Sequence, residues 1–277
     1  MPRAPDGYSK MRPESDAKMA RVGVADESGP STELAASGRL LRPRAILFDW
    51  DNTLVDSWVT IHEALNITMA AMDKPLWSIE QTKERVRLSL RESFPRHFGE
   101  RWEEARQIYL DKFSAIHLDR LTALPGRDEL LEGLAGEGMY MGVVSNKTGA
   151  LLRREADELG WSARFGAIIG AGDAERDKPD IAPVRLALEP SGIGAGETVW
   201  FVGDTGVDIQ CARNSGCVPV LLGGEMPEGE LARCAPRLVL SDCSTLFRLI
   251  RGLRINKAVL SLPGNSLALS EYSYVWL

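Results

Sequence analysis

The fold is decided by the stretch Ala45-Ile46-Leu47-Phe48-Asp49-Trp50-Asp51-Asn52-Thr53-Leu54. Its first four residues form an apolar run that predicts a buried strand, and two acids, Asp49 and Asp51, come directly after it. Open α/β sheets bind their ligands at the carboxyl ends of the strands, where these acids would lie. Buried carboxylates are costly unless they are paired or bind a cation, and oxygen-only ligands suit Mg²⁺. Taken alone, the stretch leaves open an ordinary strand-to-helix turn in which one Asp caps the helix.

The composition places the chain among globular proteins. It has 277 residues, of which 44% are hydrophobic and 26% charged, and its net charge of −6 weighs against nucleic acid as a general partner. The four cysteines lack a Cys-x-x-Cys spacing, so we expect reduced thiols in a cytoplasmic protein rather than a zinc site. We expect no signal peptide and no membrane-spanning segment, because no apolar run is long enough.

Changes in pattern along the chain predict its organisation. Residues 1–42 are rich in Pro, Gly, Ser and charged residues and predict a disordered tail. Residues 43–56 and 122–251 predict an α/β core, residues 57–121 an inserted helical cap, and residues 252–277 an extension that could form a hairpin or be loose. Oligomeric state is not readable from the sequence.

Apolar residues recur at helical spacing throughout the predicted cap. The first helix carries Trp58, Ile61, Leu65, Met69 and Met72 and is expected to end before Pro75. Ser78 and Gln81 predict a capping box for a second helix. A further helix is predicted from Trp102, Ala105, Tyr109, Phe113 and Ile116.

Strands and helices alternate after the predicted cap. Strands are predicted over residues 139–144, 167–169, 198–202, 218–222 and 238–240, and helices between them and over residues 244–251. Such alternation is typical of a parallel sheet covered on both faces, and right-handed crossovers make it doubly wound.

Three further polar clusters follow these elements, and each is weak alone. Ser145-Asn146 could hold a phosphate oxygen, although a helix cap is the simpler interpretation. Lys178-Pro179 offers a cation that can neutralise a phosphoryl group. Gly203-Asp204-Thr205-Gly206-Val207-Asp208 brings Asp204 to a strand end as a metal ligand, with Asp208 one helical turn further on. The ordered set is far more specific than any one member.

With these four motifs in order, residues 44–251 resemble the haloacid-dehalogenase-like hydrolase superfamily, and within it the phosphoglycolate-phosphatase branch with a helical cap. The resemblance implies a Mg²⁺-dependent phosphatase acting on a small phosphorylated metabolite. It implies that Asp49 is the nucleophile that forms an aspartyl-phosphate. It makes Asp51 the general acid and base, and Lys178 the residue that balances charge.

The resemblance also implies the remaining site residues. Thr53, Ser145 and the backbone at Asn146 would hold the transferring phosphate. Mg²⁺ would be bound by Asp49, by the backbone carbonyl of Asp51 and by Asp204, with Asp208 supporting that site.

Two residues depart from the common family form, and three cap residues are candidates for substrate contact. Asn52 replaces the usual Gly, but Asn tolerates a left-handed conformation, so the turn can survive. Trp50 is bulkier than usual and could narrow the pocket. Arg87, Arg91 and His97 could contact substrate, although a solvated cap surface is the simpler interpretation for each.

Other functions remain open at this point. A phosphomutase of the β-phosphoglucomutase type would share every residue named above, and a non-catalytic binding protein could be built on the same fold. A dehalogenase does not need Asp51, and a signalling receiver domain lacks a helical insertion after its first strand.

Overall fold

The computed structural model describes residues 40–223 and 226–259, with side chains described as far as residue 253. The predicted disordered tail lies outside this range up to residue 39. The last helix runs to Val259, eight residues beyond the predicted end at Arg251, so the first residue of the predicted hairpin is helical. The rest of that hairpin lies outside the described residues.

A parallel sheet forms the centre of the core. The strands of the described residues are β1 (Ala45–Phe48), β2 (Val55–Asp56), β3 (Thr122–Ala123), β4 (Tyr140–Thr148), β5 (Ala167–Ala171), β6 (Val199–Gly203), β7 (Val218–Leu222) and β8 (Leu238–Leu240). The sheet has the order β5-β4-β1-β6-β7-β8, and every neighbouring pair in it is parallel. A separate antiparallel pair, β2 with β3, lies where the chain leaves the core and returns to it.

Helices occupy two places in the chain. Those of the insertion are α1 (Trp58–Ala71), α2 (Ile79–Arg85), α3 (Leu90–Phe98) and α4 (Trp102–Ile116). Those that alternate with the strands are α5 (Arg127–Gly136), α6 (Gly149–Glu158), α7 (Ala182–Leu188), α8 (Gly206–Asn214), α9 (Glu228–Cys234) and α10 (Cys243–Val259). The predicted doubly wound fold with an inserted helical cap is confirmed, whereas the exact domain boundaries stay a prediction.

The first strand shows why both faces of the sheet are covered. All four of its residues are fully buried, and successive side chains of a strand point to opposite faces. Ile46 and Phe48 belong to the apolar cluster that includes α5 and α10, whereas Ala45 and Leu47 belong to the cluster that includes α7 and α8. A continuous apolar run is therefore what this strand needs.

A further apolar cluster is built mainly from α1, α3 and α4 of the cap and also includes Leu151 of α6. The predicted capping box is present, since Ser78 Oγ accepts from Gln81 N and Gln81 Oε1 accepts from Ser78 N. Helix α3 was not predicted, and it contains Pro95, a residue that usually ends helices. No helix in the described part of the chain is both long enough and apolar enough to cross a membrane.

Strand β4 differs from its prediction in a way that affects the site. It runs to Thr148 rather than ending at Val144, so Ser145 and Asn146 lie within it rather than after it. The pairing with β5 is irregular between Val144 and Thr148. Ser145 and Asn146 thus lie where the regular ladder is interrupted. The four cysteines are free thiols.

Candidate active site

The predicted motif residues meet at the carboxyl edge of the sheet. Asp49 follows β1, Asp204 follows β6, and Lys178 lies in the segment between β5 and α7. These segments and the cap surround one cavity, whose lining includes Asp49, Asp51, Asn52, Ser145, Asn146, Lys147, Lys178, Asp208 and the cap residues Arg87, Leu90, Tyr109 and Phe113. The cavity therefore opens between the strand ends and the cap helices.

Lys178 lies at the centre of the first charged cluster. Its Nζ is 2.6 Å from Asp49 Oδ1 and 2.7 Å from Asp208 Oδ1, and all three side chains are buried. Burial would lower the pKa of Lys178, but the carboxylates of Asp208 and Asp49 outweigh it, so that the pKa is raised. The lysine is thus held as a cation against the predicted nucleophile.

Negative charge exceeds positive charge in this cluster. Burial, then the neighbouring carboxylate of Asp208, raises the pKa of Asp49 to about 7 despite Lys178. Burial and the charges of Asp208 and Asp49 likewise raise the pKa of Asp204 well above its usual range. Three carboxylates share one lysine here, which is the condition under which a buried site takes up a cation.

The same three acids can bind a metal ion. One oxygen from each of Asp49, Asp204 and Asp208 lies within 4.8 Å of the others. Carboxylate oxygens are the ligands that Mg²⁺ prefers, and the excess negative charge fits a divalent cation. Asp208, however, has both oxygens occupied, because Oδ1 pairs with Lys178 and Oδ2 accepts from Thr205 N and Oγ1. Its contacts therefore suit support of the site better than direct ligation.

The residues expected to hold phosphate lie around these acids. Thr53 is fully buried, and its Oγ1 donates to Asp204 Oδ1 over 3.0 Å. Ser145 Oγ accepts from Lys147 N, and the Asn146 amide bonds both backbone groups of Lys178, at 3.2 and 3.0 Å. Asn146 therefore fixes the backbone that carries Lys178. Phosphate binding by Thr53, Ser145 and Asn146 stays a prediction.

The two departures from the family form have different outcomes. Asn52 has φ of 60°, so it adopts the left-handed conformation that the sequence argument required. Trp50 does not narrow the cavity, because its ring packs in the core against Trp161 and Phe165. Its Nε1 donates to Glu155 Oε2 over 2.7 Å.

A second charged cluster, which the sequence did not predict, surrounds Asp51. Lys147 Nζ lies 2.7 Å from Asp51 Oδ1 and 2.5 Å from Glu155 Oε2, and His117 Nδ1 lies 2.8 Å from Glu155 Oε1. Burial would raise the pKa of Glu155, but hydrogen bonds from His117 and Lys147 outweigh it and lower the pKa. The one indication of this cluster in the sequence is that Lys147 directly follows the Ser145-Asn146 motif.

The three cap candidates are placed differently. Arg87 lines the cavity. Arg91 is bound to Asp177 through two contacts of 2.5 and 2.6 Å, which joins α3 to the segment before Lys178. His97 packs edge-on against Trp77 in the cap. Of the three, Arg87 alone is placed to reach a ligand in this cavity.

Comparison with known proteins agrees with the motifs. Residues 46–221 match the family model described as haloacid dehalogenase-like hydrolase. A phosphoglycolate phosphatase of Pseudomonas savastanoi is 27% identical over 232 residues, covering 80% of this chain and 84% of that protein. One of Xanthomonas campestris is 29% identical over 178 residues, covering 63% and 80%.

The solved structure of a HAD-superfamily hydrolase from Ehrlichia chaffeensis is also similar. It is 27% identical, has a TM-score of 0.55, and the match covers 78% of this chain and all of that one. The resemblance predicted from the four motifs is confirmed.

Proposed function

The chain belongs to the haloacid dehalogenase-like hydrolase family and is a phosphatase. From that premise we propose that it hydrolyses a small phosphorylated metabolite in a Mg²⁺-dependent reaction, through an aspartyl-phosphate formed on Asp49. The observation that carries the proposal is the pairing of buried Asp49 with Lys178, 2.6 Å away, in a cluster that holds three carboxylates and one lysine. A carboxylate held beside a fixed cation can approach an anionic phosphate, because the cation offsets their repulsion.

The reaction would proceed in two steps. A carboxylate oxygen of Asp49 attacks phosphorus, the bond to the ester oxygen breaks, and Asp51 gives its proton to the departing alcohol. Asp51 then takes a proton from water, whose oxygen attacks the acyl-phosphate and releases inorganic phosphate with Asp49 regenerated. Thr53, Ser145 and the backbone at Asn146 would orient the phosphoryl oxygens. Lys178 would balance charge in both steps.

We propose that Mg²⁺ is held by Asp49, by Asp204 and by the backbone carbonyl of Asp51, with Asp208 orienting Lys178. The bound cation would supply positive charge against the phosphoryl oxygens. The excess of buried carboxylate over lysine in this cluster supports a divalent ion at this place.

The substrate is proposed from the relatives. The relatives from Pseudomonas savastanoi and Xanthomonas campestris are named phosphoglycolate phosphatases, so 2-phosphoglycolate is the first ester to test. Arg87, in the cavity wall, offers a cation for a second anionic group. The cytoplasmic location stays a prediction.

Phosphate release from a panel of esters tests the proposal. The panel contains 2-phosphoglycolate, glucose phosphates and 4-nitrophenyl phosphate, each assayed with Mg²⁺, with EDTA, and with the Asp49→Asn variant. We expect release that requires both Mg²⁺ and Asp49. Asp111→Asn, an exposed position on α4, is the matched control and should keep wild-type activity.

Two outcomes would contradict the proposal. Release that persists in Asp49→Asn would exclude the aspartyl-phosphate. A folded protein that binds Mg²⁺ but isomerises a sugar phosphate instead of releasing phosphate would be a phosphomutase.

A further inference from the structure

We infer that Glu155, acting through Lys147 and Trp50, is a positioning residue that fixes Asp51 for proton transfer to the leaving group. The inference rests on the proposed function. It concerns residues outside the four motifs, and it is carried by the contacts of the second charged cluster: Asp51, Lys147, Glu155, His117 and Trp50.

Lys147 holds the carboxylate of Asp51 from a fixed position. Within the described residues, this is the one ion pair that Asp51 makes. The ammonium group also contacts Glu155, and it lies 5.0 Å from the centre of the Phe113 ring. An ammonium group has three donors, and contacts on three sides leave it little freedom to move. The position of Asp51 is thus set by whatever fixes Lys147.

Glu155 is the residue that fixes Lys147. Its side chain is 2% exposed, although it carries a charge and lies on α6, behind the cavity wall. Both of its oxygens are used, because Oε2 contacts Lys147 and Trp50 and Oε1 contacts His117. A buried carboxylate with this many partners is a rigid anchor rather than an adaptable surface charge.

The same carboxylate also anchors the backbone between the two reacting acids. Trp50 separates Asp49 from Asp51 in sequence, and its indole donates to Glu155 over 2.7 Å. Glu155 therefore fixes this segment twice, through the side chain of residue 50 and through the lysine bound to residue 51. Proton transfer needs the acid within hydrogen-bond reach of the leaving oxygen, so loosening these anchors should impair it.

The effect of losing Glu155 on the rate should therefore depend on the leaving group. An alkyl alcohol is a poor leaving group and needs the proton from Asp51, whereas 4-nitrophenolate departs with little protonation. The constant kcat/KM reports the steps up to release of the alcohol. In Glu155→Gln, we expect kcat/KM for 2-phosphoglycolate to fall at least about tenfold more than kcat/KM for 4-nitrophenyl phosphate.

The matched control is Glu158→Gln, the same substitution at an exposed position on the same helix, which should change neither constant. If Glu155→Gln fails to fold because it leaves the buried Lys147 with Asp51 as its one carboxylate partner, the double variant Lys147→Gln/Glu155→Gln removes both charges together. It should show the same selective loss on the alkyl ester.

Equal losses on the two esters in a folded variant would overturn the inference, since a merely structural role affects both alike. Unchanged constants for both esters would also overturn it. Each of these outcomes leaves the proposed function standing, because wild type still releases phosphate. Wild-type protein that releases phosphate from no ester of the panel would overturn the proposed function, and the inference with it.

Discussion

Two lysines, Lys178 and Lys147, are buried at the same edge of the sheet, and each contacts two carboxylates. Burial favours a higher pKa for the acids of both clusters, yet the pKa of Asp49 is raised and that of Glu155 is lowered. The difference lies in the other neighbours. Asp49 faces further carboxylates, whereas Glu155 faces the donors His117 and Trp50. The first cluster is left with excess negative charge that suits a cation, whereas in the second cluster both oxygens of Glu155 have donors from the protein.

Replacing each lysine by methionine should separate the clusters most clearly. Lys178→Met should lower kcat/KM about 10²–10³-fold, because charge on the phosphoryl group is no longer offset. It should also cost about 3–5 kcal/mol of stability, as expected when one partner of a buried ion pair is removed. Lys147→Met should lower stability by less, because Asp51 is partly exposed and Glu155 keeps two donors. Kinetics and urea unfolding measure both effects, and equal losses would contradict the distinction.

The pH dependence of stability should differ between the clusters in metal-free protein. The folded-state pKa of Asp49, about 7, lies above the usual value of 3.8, so between these values the folded state binds more protons than the unfolded state. The contribution of Asp49 to stability is therefore lost as pH rises from about 4 to 7. Asp49→Asn should therefore become progressively more stable relative to wild type as pH rises across this window. Urea unfolding in EDTA at several pH values measures the difference, and a difference independent of pH would contradict it.

Magnesium should stabilise the protein chiefly through the carboxylates of the first cluster. Binding to the folded state at a hundred times Kd contributes about 2.7 kcal/mol, and Asp204→Asn should abolish most of this gain. Glu155→Gln should retain most of this gain, since Glu155 is not one of the proposed ligands. Thermal unfolding with and without Mg²⁺ is the measurement, and a gain that disappears in both variants would show that the clusters are not independent.

The smallest expected effect concerns one hydrogen bond of the second cluster. Trp50→Phe keeps an aromatic ring in the core but removes the donor to Glu155. Hydrogen bonds to charged groups contribute about 1.5–3 kcal/mol, and the lower end is expected because Lys147 and His117 remain. Trp161→Phe, which removes the donor to the partly exposed Asp128, is the comparison and should cost less. Urea unfolding of both variants decides the order.

The two clusters also differ in how far the sequence could predict them. Asp49, Lys178, Asp204 and Asp208 follow strands or begin a helix, and parallel strands bring such residues to one edge. Their meeting could therefore be predicted, and so could the sheet itself. The hydrogen bonds between the Asn146 side chain and the backbone of Lys178 could not be predicted. The sequence pattern predicted that β4 ends four residues earlier than it does.

Glu155 could not be predicted as a partner of Lys147, Trp50 and His117. Trp50 is 105 residues away in sequence and His117 is 38 residues away, and the contacts depend on how α4 packs against α6. Helix α3 was missed because Pro95 contradicts local propensity, which packing of Phe94 and Phe98 in the cap overrides.

The short ribbon of β2 and β3 has a consequence for how this architecture can be modified. Asp56 and Thr122 are direct partners in it, so the whole insertion begins and ends on neighbouring residues. A two-residue hairpin turn can join such a pair. The insertion can therefore be removed or exchanged without a change in the register of the sheet. Exchange would also take away His117 and Phe113, which contact Glu155 and Lys147, so a transplanted insertion would have to supply equivalents at these two positions.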